Sequence, residues 1–534
     1  MKTLSCRTSA IVLGLCLSLS SALAQMVPPS DLDTYVARAM KTFEVPGIAL
    51  AVVKDSKVVI ARGYGVRKFG DPAPVNADTL FGIASNSKAF TSAALAMLVD
   101  EHKVEWDDAV IDYLPNLHLY DLYASHQLTI RDVLSHRSGL GLGAGDLMFW
   151  PDTTFTRDDV VARARYIQPA SSFRSRYAYN NLMFVIAGQI ISSVTGKSWD
   201  DFVRERIFTP LGMISTRISS LSFKPGDNVA YPHSRGWRLE GTLAPIPMTR
   251  DDVWAAAAGI KTSANDLSKW VIAQLNHGKV NDHQRLFSEE QQRQMWASTT
   301  IVPIPEPPEP LKTLKPNFST YGLGWEQRDY RGRKIISHGG GLTGMRTTVQ
   351  LVPEENLGIL ILTNQEENGA FLSILYHILD YYFGAPQTDW ITAYETARVD
   401  KLKRAKDAEK KQTDARVANS HPSLDIARYA ADYSDPWYGN VRVKLENGKL
   451  VLYMTHTPTM VADLQHWQFD TFKALFRDRT VPDAFVTFAI NSEGKIDSVK
   501  MAAVSDLADF SFDYQDLHLK PIPPEKDVSP VGSK

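Results

Sequence analysis

Two stretches far apart in the chain carry the hydrophobic pattern of paired strands. Residues 47–66 (GIALAVVKDSKVVIARGYGV) form two apolar runs broken at Lys54-Asp55-Ser56, and residues 344–363 repeat the pattern around Pro353-Glu354-Glu355-Asn356. Apolar runs of this length, bounded by turn formers, predict strands. The sequence between them is mostly helical in texture. Residues 89–99 (AFTSAALAMLV) predict an Ala-rich apolar helix, residues 182–194 a second that Gly196 ends, and residues 371–383 a third after the second hairpin. The simplest arrangement joins the two hairpins into one antiparallel sheet backed by terminal helices, with the helical insertion as a second lobe. This is an α+β fold.

The last third of the chain changes character. Residues 302–316 carry six prolines and exclude a regular element, leaving either a rim over a site or a plain surface loop. Residues 394–416 hold eight basic and five acidic side chains and read as a solvated helix inside a charged linker at 391–420. From residue 421 to 534 short alternating runs predict a small β-rich domain. Its strongest signal is the hairpin at 441–453 around Asn447-Gly448, and 484–490 with 495–503 predict another. Trp437, Tyr438 and Trp467 in this region read as core packing rather than substrate contacts.

Composition narrows the setting. At 534 residues the chain has room for two or three domains. Lys2 and Arg7, an apolar stretch at 10–19 and Ala22-Leu23-Ala24 make residues 1–24 a secretory signal peptide, with cleavage expected after Ala24 and a periplasmic or secreted destination. The apolar stretch is too short for a stable membrane anchor. Both cysteines, Cys6 and Cys16, fall within the leader, so thiol catalysis and disulfides are excluded for the mature chain. Removing the leader's two cations leaves 56 basic against 60 acidic residues, and nothing in that balance points to nucleic acid. No cluster with metal-ligand spacing calls for a metal, and no cofactor is expected.

The candidate chemistry sits at Ser85-Asn86-Ser87-Lys88. A hydroxyl and an amine one helical turn apart, at the start of the 89–99 helix, face the same point, and burial can lower the lysine enough for it to accept a proton. Tyr179-Asn180-Asn181 opens the second apolar helix, offering a phenol to relay a proton and an amide to hold a substrate carbonyl. His338-Gly339-Gly340 ends an expected strand, where glycines let a substrate lie along the edge. Each element alone is weak. Ser492 to Lys495 repeats the first spacing in an expected turn, Tyr438-Gly439-Asn440 repeats the second, and an isolated histidine is more often a satisfied turn residue. A P-loop fails because Ile191 stands where the first glycine belongs, and there is no Gly-x-Ser-x-Gly elbow.

Taken in order, Ser85/Lys88, Tyr179/Asn181 and His338/Gly340 resemble the serine β-lactamase and penicillin-binding-protein superfamily, in its class C β-lactamase-like esterase and peptidase branch. Residues 134–140 (LSHRSGL), 210–213 (PLGM), 258–267 (AGIKTSANDL) and 321–325 (YGLGW) match the same branch. The resemblance spans residues 32–383. It implies a β-lactamase/transpeptidase-like domain over 25–390, with Ser85 and Tyr179 on the helical side facing His338 on the sheet, followed by the small β domain often appended in bacterial members. It further implies that Ser85 attacks an ester or amide carbonyl of a small molecule or short peptide. Lys88 and Tyr179 move the proton, Asn181 orients the substrate, and the amides of Ser85 and Gly341 hold the oxyanion. Members that cleave β-lactams carry Lys-Thr/Ser-Gly where this chain has His338-Gly339-Gly340, which favours an esterase or peptidase. Arg346 is a candidate for the missing charge. The alternatives are a D-amino-acid peptidase, a weak β-lactamase, or a non-catalytic penicillin-binding or ligand-sensing protein.

Overall fold

The structure, a computed structural model, describes residues 27–237 and 241–523; the expected signal peptide lies outside the described residues. Helix α1 (Leu32–Phe43) leads into strands β1 (Gly47–Lys54), β2 (Lys57–Lys68) and β3 (Asp71–Pro74). The insertion contains α2 (Ser87–Asp100), α3 (Asn181–Thr195) and α4 (Ala264–Leu275). Strands β4 (Thr300–Ile301), β5 (Ser319–Tyr321), β6 (Glu326–Tyr330), β7 (Arg333–Leu342), β8 (Met345–Val352) and β9 (Leu357–Thr363) follow, then α5 (Asn368–Tyr382) and α6 (Trp390–Asp414). The sheet runs β3-β2-β1-β9-β8-β7-β6-β5-β4. The two hairpins predicted from sequence meet where β1 pairs antiparallel with β9, from Ile48 opposite Thr363 to Lys54 opposite Leu357.

The sheet is covered on both faces, and β1 shows why its sequence reads as one apolar run: all eight residues are buried. Ile48, Leu50 and Val52 enter the core shared with α1 and α5, while Ala49, Ala51 and Val53 enter the core of the helical insertion. The small residues are on the side where helix and sheet approach most closely. At Gly358 on β9, a Cβ would lie 2.3 Å from Cγ1 of Val271 on α4, so only glycine fits.

Asp380 fastens the outer layer. Its buried carboxylate accepts from the Tyr330 hydroxyl at 2.6 Å, Arg331 Nε at 2.8 Å and Trp390 Nε1 at 2.9 Å, tying α5 to the end of β6 and the start of α6. The Pro-rich stretch joins this layer. Its short turn at Glu309–Leu314 buries Leu311 and Leu314 in the α1/α5 core. No residue of 302–316 lines the cavity at Ser85, although Pro308 borders the larger groove beside it. Helix α6 is anchored by Trp390 and Ile391; farther on, it is exposed and carries the i,i+4 pairs Lys403–Asp407 and Lys410–Asp414.

The C-terminal region is an eight-stranded antiparallel sheet, from Ala431–Asp435 to Lys520–Pro521, that curls until Val499 bridges Leu519 and nearly closes a barrel. Trp437 and Tyr438 fill its core, whereas Trp467 lies half-buried under the Arg416 guanidinium at 5.0 Å. No described helix is long and apolar enough to cross a membrane.

Removing the Asp380 carboxylate leaves three donors facing a buried gap. Asp380→Ala is expected to cost about 3 kcal/mol of stability, read as a lower midpoint in urea unfolding followed by tryptophan fluorescence.

Candidate active site

Ser85 stands on a strained turn. The residue before it, Ala84, has φ +49°, a left-handed conformation that alanine tolerates poorly. Two side chains over-determine the turn: Asn86 Nδ2 and Thr347 Oγ1 donate to the Ile83 carbonyl at 3.1 and 3.0 Å, and the same Nδ2 reaches Thr347 Oγ1 at 3.0 Å. The short helical turn Ala84–Asn86 then runs directly into α2. Three residues past Ser85, Lys88 is fully buried, and its Nζ has three acceptors: Ser85 Oγ at 3.0 Å, Asn181 Oδ1 at 2.7 Å and the Ala257 carbonyl at 3.2 Å. Burial pushes the amine down to about 7, against an opposing pull from the Asp146 carboxylate. As a free amine it keeps two N–H donors for Asn181 and Ala257 and turns its lone pair to the Ser85 hydroxyl.

Tyr179 lies just before α3, whose first turn is capped by the Asn180 side chain accepting from the Met183 amide at 3.3 Å. Its hydroxyl lies beside the Ser85 side chain, and the Lys88 Nζ lies 4.8 Å over its ring. Burial raises its hydroxyl well above the ordinary tyrosine value, so Tyr179 is a phenol at neutral pH. His136, inside the LSHRSGL segment, fixes both neighbours of Tyr179. Its carbonyl accepts from the Ala178 amide at 3.0 Å and its Nδ1 from the Asn180 amide at 3.1 Å, with its ring 4.3 Å from that of Tyr179. Burial holds His136 well below its ordinary range, hence neutral, with the proton on Nε2.

The amide of Asn181 is engaged at both ends within the protein. Oδ1 accepts from Lys88, and Nδ2 donates to Asp146 Oδ2 at 2.8 Å. The sequence reading gave this amide to the substrate; Asn181 does line the cavity, but its first obligation is to couple Lys88 to a buried carboxyl. Burial lifts Asp146 to about 7, opposed first by a hydrogen bond from Ser511 and then by that from Asn181.

Strand β7 passes Ser85 along an open edge. Its pairing with β6 ends at Glu326 opposite Ser337, so residues 338–342 face the cavity unpaired on that side. Gly340 is a steric requirement of the protein itself, because a Cβ there would lie 2.2 Å from the Ile83 carbonyl and 2.4 Å from Thr347 Oγ1. At Gly339 a Cβ would meet nothing within 4 Å, and at Gly341 it would meet Arg346 Nη1 at 2.7 Å. His338 donates from Nδ1 to the Gly339 carbonyl at 2.6 Å and accepts at Nε2 from the Tyr321 hydroxyl at 2.8 Å. Burial and the nearby Lys88 push it down to about 3, so it brings no positive charge to the cavity. Arg346 lines the cavity with Nη1 held by the Leu342 and Met345 carbonyls at 3.1 and 3.2 Å.

All eight candidates thus surround or adjoin one cavity of about 410 Å³, seven of them directly and Lys88 from beneath. Sequence reasoning missed His136, Asp146 and Ser511. The first lay inside a quoted motif without a role, and the other two had no local signal. Among the described residues, no group of three or more His, Cys, Asp or Glu is placed to hold a metal ion.

The Beta-lactamase family model matches residues 32–382. The chain belongs to the beta-lactamase family. A second model, a domain of unknown function called DUF3471, matches residues 415–521. An unguisins hydrolase of Aspergillus campestris is 30% identical over 447 residues, covering 79% of each chain. The octameric penicillin-binding protein homologue from Pyrococcus abyssi shares the fold at TM-score 0.58 and 22% identity, covering 89% of this chain and 98% of that one. A D-stereospecific amidohydrolase from a Streptomyces species shares it at TM-score 0.52 and 21% identity, covering 65% and 98%. The chain thus falls in a family of beta-lactamase-fold hydrolases.

If His136 sets the position of Tyr179, then His136→Ala should lower turnover about 10²-fold while the far-ultraviolet circular dichroism stays that of the parent protein.

Proposed function

We propose that the protein is a serine hydrolase that cleaves ester or amide bonds through an acyl-enzyme on Ser85. The observation that carries this reading is the buried Lys88 amine, bonded to Ser85 Oγ at 3.0 Å and brought down to about 7. A base with that affinity for protons is half deprotonated near neutrality and touches the hydroxyl it must activate. In the first half-reaction Ser85 Oγ adds to the substrate carbonyl and its proton passes to Lys88. The amides of Ser85 and Gly341 hold the oxyanion. Tyr179, a phenol in contact with Ser85, then hands a proton to the leaving oxygen or nitrogen and is resupplied by Lys88. In the second half-reaction water gives its proton to the same relay and its oxygen to the acyl carbon, which releases Ser85.

The substrate is an acyclic amide or an ester rather than a β-lactam. A neutral His338 occupies the place where a cation would attract the lactam carboxylate. The relatives point the same way, one being named for hydrolysis of unguisins and one for D-stereospecific amide hydrolysis. Work outside the cytoplasm, in the periplasm or secreted, follows from the leader composition of residues 1–24.

Two measurements test the reading. Against a panel of a nitrophenyl ester, nitrocefin, D- and L-alanyl anilides and short peptides, Ser85→Ala should lose at least about 10³-fold in kcat/KM, and mass spectrometry of the parent protein should trap the acyl group on Ser85. Turnover that survives in Ser85→Ala would sink the mechanism. The pH profile should have an acid limb near 7, since Lys88 is lowered from its ordinary value to about 7 and only its free-base form accepts the Ser85 proton. Tyr179, shifted upward, should add no loss below about pH 10.

A further inference from the structure

The cavity at Ser85 is built by two domains. Asp509, Phe510 and Ser511, from the segment that follows the strand Ile496–Ala503 of the C-terminal domain, line it beside Tyr179 and Asn181. The segment is fastened to the catalytic domain at several points. Asp513 is fully buried, and its carboxylate accepts from the Gly145 and Leu147 amides at 2.7 and 3.1 Å, on either side of Asp146. The Ser511 hydroxyl donates to Asp146 Oδ2 at 2.8 Å, the same oxygen that accepts from Asn181. Phe510 presses onto Gly143, where a Cβ would lie 2.6 Å from its carbonyl oxygen and 2.7 Å from its ring, at a backbone φ of +69° that also favours glycine. The Phe510 ring stands edge-on to that of Tyr179, with centroids 5.9 Å apart and planes at 78°.

Phe510 and Ser511 sit differently, and the difference separates their jobs. Ser511 is buried and points inward, while the Phe510 ring is 39% exposed on the cavity wall. That wall is aromatic: Trp150 packs against Trp254 at 5.2 Å and against Phe512 at 6.4 Å, and Phe512 in turn against Trp237 at 6.2 Å, so rings of both domains interlock. Past Phe510 the cavity opens into a groove of about 1090 Å³ bounded by Arg346, Asp509, Arg398 and Lys401. A half-exposed ring at the junction of cavity and groove meets any bulky group carried next to the scissile bond.

We infer that residues 509–513 make the C-terminal domain a working part of the active site, with Phe510 selecting substrates that bear an aromatic group beside the scissile carbonyl and Ser511 positioning Lys88 through Asp146 and Asn181. The inference rests on the acyl-enzyme reading for the part played by Lys88. The selection by Phe510 stands on the cavity alone. Phe510 offers an edge or face to an aromatic acyl group at little entropic cost. Ser511 acts through its bond to Asp146. It holds one oxygen of a buried carboxyl in the orientation that Asn181 needs in order to place its own oxygen 2.7 Å from Lys88.

The test uses the full-length protein and two amides, phenylacetyl- and acetyl-p-nitroanilide. The parent protein should prefer the phenylacetyl compound. Phe510→Ala should shrink that preference about tenfold, chiefly through KM. Ser511→Ala should lower kcat about tenfold on both compounds with KM little changed, and Ser511→Thr, which keeps the hydroxyl, should restore most of the loss. A role confined to holding the domains together would move the urea midpoint and leave the preference and the split between kcat and KM as they were; that result overturns the inference. Binding of the same anilides to Ser85→Ala and to Ser85→Ala/Phe510→Ala keeps the two readings apart. Turnover persisting in Ser85→Ala counts against the acyl-enzyme, whereas equal affinity for both anilides in the presence of Phe510 counts against selection by that ring.

Discussion

An amine kept out of water is the constraint on which the rest of the site depends. A lysine ammonium without solvent is costly unless three acceptors surround it, and one that is to serve as a base must also be able to lose its proton without leaving those acceptors stranded. Lys88 meets both demands with partners from three places: Ser85 in the short turn that runs into α2, Asn181 at the start of α3, and the carbonyl of Ala257 in the short helix before the strand Ile260–Thr262. With the proton gone, Asn181 and Ala257 still receive an N–H each and Ser85 becomes the donor. The hydrogen-bond count is preserved across the change of charge, so the group can titrate near neutrality without rebuilding its surroundings.

Such an arrangement needs the sheet and the helical insertion to be held in fixed relation, and the contact between Gly340 and the turn at Ile83 does that. The strand comes so close to the turn that no side chain is allowed at 340. In exchange, Thr347 on the neighbouring strand reaches across to the Ile83 carbonyl and supports the left-handed Ala84. One close approach therefore sets the orientation of Ser85 and leaves the β7 edge lying along the cavity. Glycine at 340 belongs to this clamp, and the space a substrate would occupy begins at Gly339 and Gly341.

Much of this was legible along the chain because it is local or periodic. The apolar runs that became β1, β2, β8 and β9, the Ala-rich α2 and the Gly196 stop after α3 are patterns within a window of twenty residues, and Ser85/Lys88 is a one-turn spacing. What could not be read is non-local. Asp146 lies in a Gly-rich loop that looks like a connector, and only the fold carries it beneath Asn181, 35 residues later. His136 was visible as part of a motif, yet its bonds to the amides on both sides of Tyr179 appear only when the two loops are packed together. The Pro-rich stretch could be denied regular structure from composition, but not assigned to the terminal-helix core, since Leu311 and Leu314 are two ordinary leucines in an exposed-looking sequence. Ser511 stands 365 residues from its partner, in a turn-like stretch that carries no signal of its own.

The distance in sequence between Ser511 and Asp146 bears on how the base is set. Lys88 and Asp146 are both brought to about 7, one from above and one from below, with Asn181 bonded to each. The charges of the two groups favour one another, so what favours the carboxylate also favours the ammonium. The hydroxyl of Ser511 favours the carboxylate, while the charge of Asp509, from the same segment, disfavours it. The C-terminal domain thus acts in both senses on the carboxyl that Asn181 links to Lys88. A site whose Ser85 and Lys88 are one helical turn apart in one domain takes one wall of its cavity, and a bond to the buried carboxyl beside Asn181, from another.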